Sequence, residues 1–196
     1  MNFLAHALLS GNESHLIVGG VAGDWVKGPL PGSLPADLAR GVALHRAIDH
    51  YAETHPAFCR SRGRVSKPRK RYAGILVDIF YDHLLARDWE NVHHRPLHDY
   101  CAQVYEMIAA RLDDLPPDAH HALQLMASQD WLSSYATIEG IADVMRRMAR
   151  RVRHPEMMEH SEQELVEHFE GFSEDYREWL ADITVFCREW RERTEL

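Results

Sequence analysis

The sequence predicts an all-α protein, a single compact helical bundle spanning residues 1–196. Three observations carry that expectation. Apolar residues recur at helical spacing along nearly the whole chain, and β-branched runs that alternate as a strand requires are absent. The breaks between periodic stretches are short and rich in proline, glycine or charge: GPLPGSLP at 28–35, the basic stretch around Gly63 to Pro68, LPPD at 115–118 and RHPE at 153–156. A length of 196 residues suits one domain, and 45% apolar residues are enough for a real core.

The periodicity places helices near 2–10, 14–28, 35–55, 69–90, 96–113, 117–129, 137–153 and 161–193. The start MNFLAHALLSGNESH lacks a basic leader, so it reads as the first helix and not as a signal peptide. Pro35 and Pro117 stand where a first helical turn tolerates proline. Gly171 is the expected interruption of the last helix.

Charge and cysteine usage bound the setting. Net charge is −8, yet RSRGRVSKPRKR carries Arg60, Arg62, Arg64, Lys67, Arg69, Lys70 and Arg71 with no acid among them. RRMARRVR adds Arg146, Arg147, Arg150, Arg151 and Arg153, and together the two runs hold 12 of the 22 Lys and Arg. The last third is acidic, so a basic face on an acidic body is expected, suited to steering an anionic partner. The alternative is a solvated loop and a solvated helix end. Cys59, Cys101 and Cys187 form no CxxC, which points to a reducing, cytoplasmic setting. No apolar run approaches the roughly 18 residues of a membrane span.

Several apolar stripes continue through polar residues. Leu38, Val42, His45, Asp49 and Ala52 share one helix face, as do Ile75, Asp78, Asp82, Leu85 and Trp89. Ile17, Val21 and Asp24 share another, with Gly20 and Gly28 flanking Asp24 where small residues admit a close approach. On the first helix Phe3, His6 and Ser10 align, and His83 points to the face beside Asp82. Buried and unpaired, each carboxylate would cost several kcal/mol, roughly, or take up a proton. Something cationic must compensate: Arg46 or Arg87, or a metal ion. Mixed His and carboxylate donors in a bundle suit Mn²⁺, Mg²⁺, Fe or Zn²⁺, and an oxygen-rich set favours Mn²⁺ or Mg²⁺. Trp25, Trp89 and Trp131 read as core, whereas His50, His55, His93, His94, His98, His120 and His121 read as surface or loop residues.

MNFLAH, GDWVKG with Asp24, LHRAID with His45, Arg46 and Asp49, LVDIFYDHLLARDW with Asp78, Asp82 and His83, QDWLSSY and the arginine-rich MRRMARR occur in this order over residues 1–153. In these motifs the sequence resembles the acyl carrier protein phosphodiesterases, also called holo-acyl-carrier-protein hydrolases. The resemblance implies an all-helical enzyme distantly related to HD-type metal phosphohydrolases. It implies hydrolysis of the phosphodiester joining 4′-phosphopantetheine to a serine of holo-acyl carrier protein, with a divalent metal, usually Mn²⁺. The adjacent pair here is Asp82-His83, the reverse of the HD order, so HD ligand roles do not transfer directly. Beside the resemblance, Asp24, His45, Asp49 and Asp78 are the expected metal ligands. Asp82 and His83 are expected to hold or deprotonate a water, or to support the ligands. His6 is a further ligand or a proton donor to the leaving serine oxygen, and Arg46 a phosphate contact. The basic runs would dock the acidic carrier; nucleic acid and membrane are not expected partners. The competing readings are a phosphohydrolase of nucleotides or other small phosphodiesters, and a non-enzymatic helical protein that binds an acidic partner or nucleic acid through its arginines.

Overall fold

A computed structural model describes residues 3–150 and 152–193. They form α1 (Phe3–Leu9), α2 (Ser14–Ala22), α3 (Ala36–Thr54), α4 (Pro56–Arg64), α5 (Ala73–Arg87), α6 (Trp89–Val92), α7 (Leu97–Ala110), α8 (Pro117–Ser128), α9 (Trp131–Ser134), α10 (Ile138–Ala149), α11 (Glu162–Glu167) and α12 (Phe169–Arg193). Short 3₁₀ turns lie at Gly23–Trp25, Lys67–Tyr72, Leu112–Asp114 and Pro155–Met157, and no strand occurs among the described residues. The all-α class is thus observed. None of these helices is long and apolar enough to cross a membrane.

Helix α5 is the axis of the core. Leu76, Val77, Ile79, Phe80, Tyr81 and Leu85 are fully buried, because α1, α4, α10 and α12 pack around it. Phe80 meets Phe172 edge-on, and Tyr81 lies against Trp179, so α12 supplies the aromatic half of the core.

Two packing features position the polar residues. The first is the crossing of α2 and α3. A Cβ on Gly19 would lie 2.7 Å from the Cα of Gly41, and one on Gly41 would lie 2.9 Å from the Cα of Gly19, so the two backbones touch. One turn further along each helix, the His45 ring rests on Gly23, where a Cβ would sit 2.3 Å from the ring. The close approach is therefore made by Gly19 and Gly23. Gly20 packs on Ser10 instead, and Gly28 lies beyond the helix at φ +80 with open space around it. The second feature is the start of α1. Asp82 accepts hydrogen bonds from the backbone N–H groups of Leu4 (3.1 Å) and Ala5 (2.9 Å), which no intrahelical carbonyl could satisfy.

The boundaries depart from the periodicity in three notable places. The helix expected over 14–28 stops at Ala22, turns through Gly23–Trp25 and continues extended at Val26. Trp25 folds back to stack on Phe3 at 5.7 Å, a contact a continued helix would prevent. Residues 56–64, where no helix is expected, form α4: Pro56 starts it and the His55 ring caps it by accepting from the Ala57 N–H. His55 is accordingly buried and not a surface residue. Gly171 lies inside α12, and the break falls at His168. Gly171 is small because the Arg64 guanidinium occupies the space a Cβ would need.

Three arginines of the basic segment are neutralised from within. Asp175, 2% exposed, receives Arg60 Nε at 2.7 Å, Arg64 Nε at 3.0 Å and the Ser61 hydroxyl at 3.1 Å. Glu164 accepts from the Ser66 N–H and hydroxyl and from Arg69, which also donates to the Met157 and Glu159 carbonyls. Lys70 donates to the carbonyls of Arg62 and Gly63 at the end of α4. Acidic residues of the last third thus meet this run inside the molecule.

Candidate active site

His45 is the centre of the polar cluster. Its Nδ1 lies 2.8 Å from the Gly20 carbonyl oxygen, one of the four carbonyls that the end of α2 leaves without a helical partner. A carbonyl has no hydrogen to give, so Nδ1 carries the proton. In the neutral ring Nε2 then offers a lone pair, and it faces Asp49 Oδ2 at 3.2 Å and Asp24 Oδ1 at 3.7 Å. Lone pairs pointed at carboxylates need a cation between them, either a proton or a metal ion. In the metal-free protein the proton takes that place: burial would lower His45, but hydrogen bonds with Asp24 and Asp49 outweigh it and push the pKa up to about 9.

His6 stacks on His45 with ring centroids 4.0 Å apart, and its Nε2 reaches Asp49 Oδ1 at 3.2 Å. Burial, helped by the charge of His45, pushes His6 down to about 4, so it is neutral near pH 7. The Asp49 carboxyl is held well below the usual range, because its hydrogen bonds with His45 and His6 overcome its burial. Asp24 is held at about 2, the hydrogen bond with His45 again outweighing burial.

Donor atoms of His6, His45 and Asp49 lie within 4.8 Å of one another, which makes this a possible metal-binding triad. Two buried polar atoms at the cluster, Asp24 Oδ2 and His6 Nδ1, have no hydrogen-bond partner among the described residues. An unsatisfied carboxylate oxygen beside a lone-pair-bearing imidazole is what a cation site would leave. The donor set, imidazole nitrogen with carboxylate oxygen, fits a divalent metal ion.

The other expected residues fall around this centre. Asp78 lines a cavity of about 300 Å³ together with Asp49, and burial raises its carboxyl. Asp82 is fully buried at the start of α1, where burial pushes its carboxyl up to about 8 against its two N–H donors. Both of its oxygens are occupied there, so it supports His6 through α1. His83 points elsewhere, with Nδ1 2.7 Å from the Tyr135 carbonyl. Arg46 donates to the Val26 carbonyl at 3.1 Å and so holds the segment after Asp24, while Arg87 stacks over Phe169. Backbone N–H groups, not Arg46 or Arg87, compensate Asp82.

Of the basic runs, Arg60, Arg64 and Arg69 are committed to Asp175 and Glu164, and Lys67 is exposed. Arg62 and Arg71 line the cavity beside Asp49 and Asp78. Arg146, paired with Asp143, joins Arg147 and Arg150 at a second cavity of about 470 Å³, floored by Phe3, Trp131 and Tyr135. Arg147 stacks over Trp131 at 4.5 Å. Arg151 lies outside the described residues.

Comparisons with known proteins bear on the same residues. A relative named acyl carrier protein phosphodiesterase, from Photorhabdus laumondii, is 32% identical over 177 residues, covering 88% of this chain and 87% of its own. One of the same name from Yersinia pestis is 32% identical over 152 residues, 77% of this chain and 79% of its own. A third, from Salmonella dublin, is 28% identical over 177 residues, 90% and 92% of the two chains. No solved structure matches the chain. The family described as acyl carrier protein phosphodiesterase matches residues 1–183, which include every residue of the cluster. By that match and those identities, the chain belongs to the acyl carrier protein phosphodiesterase family.

Proposed function

We propose that the protein hydrolyses the phosphodiester between 4′-phosphopantetheine and the serine of holo-acyl carrier protein, releasing the apo carrier. The observation that carries this reading is the convergence of His6, His45 and Asp49 on one point, with Asp24 beside it, in a chain of this family. In this reading His6, His45, Asp49 and Asp24 hold a divalent ion, Mn²⁺ or Mg²⁺, and Asp78 faces it across the cavity. When bound, such an ion neutralises phosphate charge and lowers the pKa of a water.

The chain's own residues do the rest. The Gly20 carbonyl holds His45 in one tautomer, so its Nε2 stays directed at the centre. Burial keeps His6 uncharged, so it keeps a nitrogen lone pair near pH 7. Asp78, whose carboxyl burial raises, is the proposed acceptor of the proton that the attacking water loses. Asp82 fixes α1 and thereby His6, and Arg46 fixes the Asp24 segment; both are positioning residues here. His83 serves the packing of the Tyr135 segment. Residues 1–196 act as one unit in the cytoplasm, and kinship with HD-type phosphohydrolases belongs to the same reading.

The internal ion pairs of Arg60, Arg64 and Arg69 weigh against a nucleic-acid or acidic-partner binder built on the first basic run. What stays available for the carrier is Lys67 with the Arg146, Arg147 and Arg150 surface. The test is incubation with holo-acyl carrier protein and Mn²⁺, followed by intact mass of the carrier. Loss of the phosphopantetheine mass, abolished by chelator and by His45→Gln, is expected. An unchanged carrier mass, or full turnover in chelator, overturns the reading.

A further inference from the structure

We infer that Arg62 and Arg71 form an oxyanion subsite for the non-bridging oxygens of the substrate phosphodiester; the inference rests on the phosphodiesterase reading above. Three helix stripes meet at the cavity of about 300 Å³. Asp49 and Glu53 come from α3, Phe58 and Arg62 from α4, and Arg71, Gly74 and Asp78 from the 3₁₀ turn leading into α5. The spacings are those of one helix face each, so the side chains share one space. Gly74 opens it further: a Cβ there would meet nothing within 4 Å.

The neighbours of these arginines in the basic run sort by contrast. Arg60, Arg64, Arg69 and Lys70 each have partners within the fold. Arg62 and Arg71 share a cavity with three carboxylates, yet among the described residues neither side chain makes a hydrogen bond or ion pair. Both guanidinium forks therefore keep their donors for a ligand. Arginine suits a phosphoryl group because its planar fork bonds two oxygens at once. The occupant is the phosphodiester and not a carboxylate of the carrier surface. A phosphodiester fits a cavity of this size bordering Asp49, whereas a carrier helix does not.

Arg62→Gln and Arg71→Gln are to be compared with Arg60→Gln as a structural control. Substrates are holo-carrier and bis(4-nitrophenyl) phosphate, with Mg²⁺ present, and inorganic phosphate is the competing ligand. Each cavity variant is expected to raise KM for both substrates about tenfold or more and to weaken inhibition by phosphate in proportion. Arg60→Gln is expected to lower the thermal midpoint and leave KM unchanged. Gly74→Leu, which fills the open space, is expected to raise KM without loss of thermal stability. A rise in KM for the carrier alone, with phosphate inhibition intact, assigns the two arginines to docking and overturns the subsite. One arm is independent of turnover: phosphate should raise the thermal midpoint of the wild-type protein with Mg²⁺ and not that of the Arg62→Gln, Arg71→Gln double variant. If wild type fails on holo-carrier, the reading of the reaction falls, and this arm still decides the subsite: equal protection of both proteins, or of neither, overturns it.

Discussion

His45 owes its placement to a missing side chain. Its ring lies where a Cβ on residue 23 would be, so Gly23→Ala must push the imidazole away from Gly20, Asp24 and Asp49. The expected outcome is loss of turnover by about 10²-fold or more, since displacements near 1 Å have that effect, with little change in helical circular dichroism. The two stacked histidines also set opposite pH limits on the metal-free protein. His45 is raised from 6.5 to about 9, so its contribution to stability is full below pH 6.5 and is lost as pH rises through 9. His6 is lowered from 6.5 to about 4, so stability is lost as pH falls from 6.5 toward 4. The chelated protein should show its highest thermal midpoint near pH 6.5, and His45→Gln should flatten the alkaline side and, by removing a charge that helps hold His6 down, soften the acid side less strongly. At this scale much was legible. The 4, 3, 4, 3 spacing put His45 and Asp49 on one face because α3 is long and regular, with His45 buried and Asp49 half-exposed at its edge. The contact of His6 with Asp49 was not legible, because it depends on where α1 is pinned, 43 residues away in sequence.

Short helices need outside support, and α1, with seven residues, cannot hold itself. Asp82 supplies that support through a contact spanning 77 and 78 residues. Asp82→Ala leaves two buried N–H groups unbonded and should lower stability by about 2–4 kcal/mol. Asp82→Asn, which keeps one acceptor oxygen, should lose less; chemical unfolding measures both. Equal losses would show that the N–H contacts contribute nothing. On sequence spacing Asp82 belongs with Asp78, and both read as reactive; only the three-dimensional position of α1 separates a supporting carboxylate from one that faces the cavity. Helix α4 was hidden for a related reason. Its buried residues are only Ala57, Phe58 and Ser61, and its basic surface reads as solvated. The acid that makes it a packed helix, Asp175, comes from α12, 111 residues after Arg64 and 115 after Arg60.

Across the whole molecule, opposite charges that look bipolar along the chain partly cancel in space. Asp175 receives two arginines and a serine hydroxyl while almost wholly buried. Asp175→Ala should destabilise the protein measurably, because it takes the buried acceptor from Arg64, Arg60 and the Ser61 hydroxyl, although Arg60 keeps Glu178. A change below about 1 kcal/mol would mean that the pairs are solvated and exchangeable. The all-helical class was legible because 3.6-residue periodicity is a local property. The sorting of the arginines into bound and free was not, because each partner lies some 90 residues or more further along.

Helix α12 does more than bind α4. Arg191 donates to the Leu9 carbonyl at the end of α1, and its own carbonyl accepts from Arg40 on α3. The last helix therefore ties together α1, α3 and α4, the elements that carry His6, His45, Asp49 and Arg62. Every residue of the cluster is translated within the first 82 positions, yet the strap that draws them together, in residues 175–191, is made well after them. A ribosome-bound chain that already contains the full set of reacting groups should be inert. Competence should arrive late and abruptly, when residues 175–191 clear the exit tunnel.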